Sequence, residues 1–109
     1  MAKERPREER EGGTSTVTRP EKKLKRPTLY KVLFHNDDYT TREFVVFVLQ
    51  TVFFHDEAAA TRIMWNVHTT GIGVAGVYTY EIAEMKARKV EALARENEFP
   101  LRVSVEPEE

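Results

Sequence analysis

The chain has 109 residues, 32% of them charged, and contains no cysteine. That length supports one small core and not two, and the missing thiols exclude a disulfide framework, thiolate zinc sites and cysteine nucleophiles. The net charge of −1 hides an asymmetry, because residues 1 to 26 hold nine of the 17 Lys and Arg against five acids, giving +4, and the rest of the chain is −5.

Residues 1 to 26 include Pro6, Gly12, Gly13 and Pro20, and after Met1 their only larger aliphatic side chains are Val17 and Leu24. Such a segment buries too little apolar surface to offset its ordering entropy and reads as a flexible N-terminal extension. A folded core is expected over residues 27 to 107. Its first element is "TLYKVLF", in which Leu29, Lys31 and Leu33 alternate with Tyr30, Val32 and Phe34 as in a strand. Thr40 precedes "TREFVVFVLQTVFF" with Glu43 three residues on, which predicts a capping box with Thr40 as N-cap and Tyr39 and Phe44 as a hydrophobic staple. Phe44, Val48 and Val52 recur every four residues beside Val45 and Leu49, so burial must hold a helix whose β-branched and aromatic content disfavours it.

A second helix is predicted from Asp56 as cap to about His68, with Ala59, Ile63 and Val67 beside Ala60 and Met64. Three glycines in "TTGIGVAGVYT" suggest tight turns before a short strand near Val74 to Tyr78. Thr79 is the expected cap of a third helix. Its apolar face combines Ile82, Met85 and Leu93 with Ala83, Ala87, Val90 and Ala94, and it ends near Asn97. "LRVSV" alternates as a last strand. The order β-α-α-β-α-β predicts an α+β domain, a small three-stranded antiparallel sheet packed against three helices. No apolar run approaches the ~20 residues that cross a bilayer, and no hydrophobic signal segment opens the chain, so a cytoplasmic location is expected.

The polar residues concentrate in "LFHNDDYTTREFV", where a strand gives way to a helix. Asn36, Asp37 and Asp38 fit turn and cap chemistry, since free amides and the positive dipole end favour carboxylates there. A metal site would use His35, Asp37 and Asp38, yet their spacing matches neither a calcium loop nor a paired-histidine motif. A hydrolase would need a nucleophile, and the only serine beyond the extension is Ser104, in a strand. Nucleic-acid binding would rest on "EKKLKR" alone while the folded part is acidic. The remaining chemistry is capture of a cation with several donors, such as a peptide α-ammonium. An Asn oxygen, a carboxylate and an unprotonated imidazole nitrogen would surround its three N–H groups. Asn36 and Asp38 supply two of these acceptors, and His68 is the candidate third if the second helix ends against that loop. Met64 and Val67 would then form an apolar wall.

The strings "LYKVLFHNDDYTTREFVVFVLQ", "AAATRIMWNVHTTGIGVAGVYTYEIAEMKA" and "ARENEFPLRV" resemble the ClpS adaptors of the bacterial Clp protease, from about Pro27 to Val105. The resemblance implies an adaptor without enzymatic activity, cofactor or metal. It would act as a monomer that binds proteins starting with Leu, Phe, Tyr or Trp, known as N-degrons, and delivers them to the ClpA unfoldase of the AAA+ class. It further implies that Asn36, Asp38 and His68 hold the substrate's α-amino group, with Asp37 in the same loop. Thr40, Val45, Met64, Val67 and Leu101 would line the pocket for the first side chain. Glu81, Lys86 and Glu98 would dock on the N-terminal domain of ClpA, and the N-terminal extension would take part in handing substrate over. Neither nucleic acid nor membrane is an expected partner.

Two positions depart from the family pattern, in which Met usually stands where this chain has Arg42 and a small aliphatic where it has His35. That Met borders the pocket and helps reject β-branched first residues. Arg42 can cover the rim with its methylene stem, but its charge should weaken binding or change the preferred first residue unless it pairs with Asp37 or another acid. The alternative reading is a module that docks on a AAA+ ATPase with altered or no N-degron recognition.

Overall fold

A computed structural model describes residues 26–108 of the chain. The extension expected over residues 1 to 26 lies outside the described residues, apart from Arg26. The elements run β1 (Leu29–His35), α1 (Arg42–Thr51), α2 (Glu57–Thr70), β2 (Ile72–Thr79), α3 (Tyr80–Glu96) and β3 (Arg102–Pro107). The expected order and antiparallel sheet are both found. β1 is the central strand, flanked by β2 and β3 in the order β2-β1-β3.

β1 contributes Val32, Leu33 and Phe34, all buried. α1 buries Phe44, Val45, Val48 and Leu49. Each such side chain gains about 1.5–3 kcal/mol on burial, whereas helix propensity differs by at most ~0.7 kcal/mol for an ordinary residue. Burial therefore outweighs the unfavourable composition of this helix. α2 adds Ala60, Ile63, Met64 and Val67, and α3 adds Ala83, Ala87, Val90 and Ala94. The small residues of α3 let it lie close on the sheet, where it touches all three strands.

Four local expectations need correction. Thr41, not Thr40, is the N-cap of α1, its hydroxyl accepting from the Phe44 N–H at 3.1 Å. Thr40 is unavailable because its own N–H and hydroxyl both go to Asp37. The expected staple of Tyr39 on Phe44 is not formed. Tyr39 is 77% exposed, and Phe44 instead packs on Phe99 with ring centres 4.9 Å apart. On α3, Ile82 and Met85 are exposed, since the side of the helix that meets the sheet is the narrower one carrying the alanines and Val90. Of the three glycines, only Gly71 turns the chain, with φ 94 at the end of α2 and its N–H bonded to the Val67 carbonyl at 3.0 Å. Gly73 and Gly76 are inside β2, which begins two residues earlier than expected.

β2 also carries one extra residue. Its register on β1 shifts between Val32 and Leu33, which leaves Ala75 without an opposite number. Such a bulge frees a carbonyl from the ladder, and the Ala75 oxygen accepts from His55 Nε2 at 2.6 Å. That bond fixes the α1–α2 turn, where Phe54 has φ 60.

Candidate functional site

Asp37 organises the loop between β1 and α1. Its Oδ1 accepts from the backbone N–H groups of Tyr39 and Thr40, each at 2.7 Å, and its Oδ2 accepts from the Thr40 hydroxyl at 2.8 Å. Burial alone would raise its pKa, but these three bonds outweigh it and hold the carboxyl below the usual range. Both oxygens are thus turned back onto the loop. Asn36 and Asp38, on either side of Asp37, are exposed. The Asn36 backbone N–H reaches across to the Gly71 carbonyl at 2.9 Å, which ties the acceptor loop to the end of α2.

That tie brings His68 to the same cleft, three residues before Gly71. The cleft has a volume of about 860 Å³, and Asn36, Asp37, Asp38 and His68 all line it. Met64, Val67, Val45 and Leu101 line it too, each less than a tenth exposed, so they form an apolar floor. Thr40 and Arg42 complete the expected set. Gly73 makes part of this packing possible. A Cβ there would lie 2.6 Å from Val67 Cγ2, so only a glycine lets β2 run this close beneath the Val67 wall.

Among the lining residues that the sequence did not point to is Trp65. Trp65, 44% exposed, lies one helical turn before His68 and meets its ring edge-on at 5.5 Å between centroids. The Arg42 guanidinium carbon sits over the same indole at 5.2 Å. Arg42 therefore reaches Trp65, and neither Asp37 nor any other acid among the described residues pairs with it. A Trp on a polar helix face gives no periodic signal. Its spacing to His68, three residues on one face, was the available clue.

His35 turns to β3, with Nε2 2.7 Å from the Ser104 hydroxyl. Burial first, then the Arg102 guanidinium, hold its pKa below the ordinary imidazole value, with Glu106 opposing. The three expected docking residues are not gathered in one place. Glu81 is in the first turn of α3 and Glu98 just beyond its end, roughly 25 Å apart along the axis at 1.5 Å per residue. Between them Lys86 is partly withdrawn from solvent. Its Nζ donates to the Val52 carbonyl at 2.7 Å and lies within 6 Å of three ring centres, Phe53 at 5.7, Phe54 at 4.9 and Tyr78 at 5.3 Å. Burial, then the neighbouring Lys89, lower its pKa. Glu98 has φ 62, the left-handed position of a helix end closed by Phe99 N–H to Ala94 O at 2.8 Å and Glu98 N–H to Arg95 O at 3.1 Å.

Residues 25–104 match the family model described as ATP-dependent Clp protease adaptor protein ClpS. The chain belongs to the ClpS family. A ClpS adapter protein of Myxococcus xanthus is 60% identical over 101 residues, covering 91% of this chain and 94% of that relative. The ClpS of Desulfatibacillum aliphaticivorans is 58% identical over 92 residues, with 84% and 88% covered. Among solved structures, Agrobacterium tumefaciens ClpS2 bound to L-phenylalaninamide superposes with a TM-score of 0.73 at 47% identity, covering 76% of this chain and all of that one. The ClpS likeness spans the loop, the cleft and all three helices, and the resemblance read from the sequence strings is the family the comparison finds.

Proposed function

We propose that this chain is an adaptor that captures proteins by a free, hydrophobic N-terminal residue and passes them to a ClpA-type unfoldase for degradation, performing no chemistry itself. The observation that carries this reading is the single cleft in which Asn36, Asp38 and His68 stand beside the apolar floor of Met64, Val67, Val45 and Leu101. An α-ammonium offers three charge-assisted donors to the first group, and the adjoining side chain fills the slot formed by the second. L-phenylalaninamide, the ligand of the Agrobacterium relative, has both a free amine and an apolar side chain. In this chain Asp37 acts through the loop, holding Asn36 and Asp38 in place, while Thr40 is fixed as a wall by its bonds to Asp37.

Docking on the unfoldase falls to Glu81, Lys86 and Glu98, which mark a surface running the length of α3. Glu98 presents its side chain from a left-handed backbone position just past the end of α3. Lys86 would serve the same surface by holding Phe54, 78% exposed, beside it.

The deciding experiment titrates fluorescent peptides starting with Leu or Phe onto the protein, with the amine free or acetylated. Acetylation removes the positive charge and two of the three donors from acceptors that the bound chain would cover, a loss of about 1–3 kcal/mol for each bond left unmade, so affinity should fall at least tenfold. Equal binding of the two forms refutes amine capture. Delivery is read separately, as faster ATP-dependent degradation of a Leu-starting reporter when the adaptor is added to the unfoldase and protease.

A further inference from the structure

Arg42 stands on the first turn of α1 at the mouth of the cleft, its guanidinium carbon over the Trp65 ring. A cation over an aromatic face is held by its charge, and the N–H donors of the guanidinium remain for other acceptors. Among the described residues the one ion pair joins Arg88 to Glu84, and no acceptor is bonded to Arg42. Trp65 thus positions a guanidinium without using its donors.

The place where it is held matters. Trp65 packs against both Arg42 and His68, so the guanidinium is one ring removed from the imidazole assigned to the amine. An extended peptide advances about 3.3–3.6 Å per residue, so a chain whose first residue fills the slot brings its second or third side chain to the level of Arg42. The other charges on the cleft are acids, including Asp38, Glu43 and Glu57. Left alone they would repel a carboxylate on the bound peptide, and Arg42 offers the only cationic point on this rim among the described residues.

We propose that Arg42, positioned by Trp65, is a second specificity determinant that receives an acidic side chain at the second or third residue of the bound chain. The inference rests on the amine-capture reading, which fixes where the peptide starts. The test compares Leu-starting peptides carrying Glu, Gln or Lys at residue two or three, titrated onto the full protein and onto Arg42→Met, Arg42→Lys and Trp65→Leu.

The wild-type protein should bind Glu peptides about two- to fivefold more tightly than Gln peptides at low salt, an exposed ion pair being weak, and the preference should shrink at high salt. Lys peptides should bind most weakly. The Glu-to-Gln ratio should drop to one or below in R42M, where the acids act unopposed, and fall part-way in R42K and W65L. Because only ratios within each protein are compared, a general loss of affinity in a variant does not alter the reading. A ratio of one in the wild type, or the same ratio in R42M, overturns the proposal. If acetylated peptides are still rejected in that case, amine capture stands and only this inference falls. Equal binding of free and acetylated peptides overturns both.

Discussion

Replacing Asp37 separates a residue that touches the substrate from one that shapes the loop. In Asp37→Ala three bonds disappear, two from backbone amides at 2.7 Å and one from the Thr40 hydroxyl at 2.8 Å. A hydrogen bond to a charged acceptor contributes ~1.5–3 kcal/mol, yet the site is only partly buried, so water replaces much of what is lost. The expected loss is about 1–3 kcal/mol of unfolding free energy by urea titration, with weaker binding of a Leu-starting peptide because Asn36 and Asp38 are no longer held. Asp37→Asn retains Oδ1 for both amides and presents its amide nitrogen to Thr40, whose hydroxyl can accept in return. It should therefore keep most of the stability and most of the binding. The sign with pH follows from the lowered pKa. The contribution is complete above the unfolded carboxyl value of about 3.9 and is lost as pH falls below it. If D37A keeps wild-type stability, or if D37N binds peptide as poorly as D37A while fully stable, the loop-bracing role is wrong and Asp37 contacts the amine directly.

Gly73→Ala places a methyl group 2.6 Å from Val67 Cγ2 and 3.4 Å from the Val67 backbone N, a strain of ~1–3 kcal/mol. Both melting temperature and peptide affinity should drop, and a variant with unchanged affinity would show that the Val67 wall is not used. Because the pKa of His35 is lowered, the unfolded state takes up its proton first on acidification. Stability is thus complete above about pH 6.5 and declines below it. Urea midpoints compared from pH 7.5 to 5.5 should fall less steeply in His35→Gln than in the wild type, and parallel profiles would contradict the assignment. Lys86→Met keeps an apolar stem but cannot donate to the Val52 carbonyl, so it should cost about 0.5–1.5 kcal/mol in a urea titration. No loss would mean that the contact is unimportant to the fold and that any delivery defect reports docking alone.

The sequence revealed the framework well because most elements announce themselves locally. The four-residue recurrence of Phe44, Val48 and Val52, the Asp56 cap with its bond to the Ala59 N–H at 2.8 Å, and the alternation of β1 all act within one element. What was misread depends on contacts between elements. Two adjacent threonines are equivalent as caps until Asp37 engages one of them. Gly73 and Gly76 look like turn residues until Val67 and Tyr78 are seen to occupy the space where their side chains would be. Ile82 and Met85 fit an apolar helix face, but the alanine line alone meets the sheet. Asn36, Asp38 and His68 were readable as acceptors from residue type, whereas the Arg42 and Trp65 pair joins two helices 23 positions apart and leaves no pattern in the string. The ring cage around Lys86 was not legible either, because the rings come from the α1–α2 turn and from β2.

The bond from the Asn36 N–H to the Gly71 carbonyl is the stitch between the two halves of the proposed amine site. Hydrogen exchange at that amide therefore counts how often the halves separate. A ligand gripping only the loop, or only α2, would leave the count unchanged, while one that spans both must slow it. The protein thus carries its own gauge of whether a bound chain is held by one side or by two.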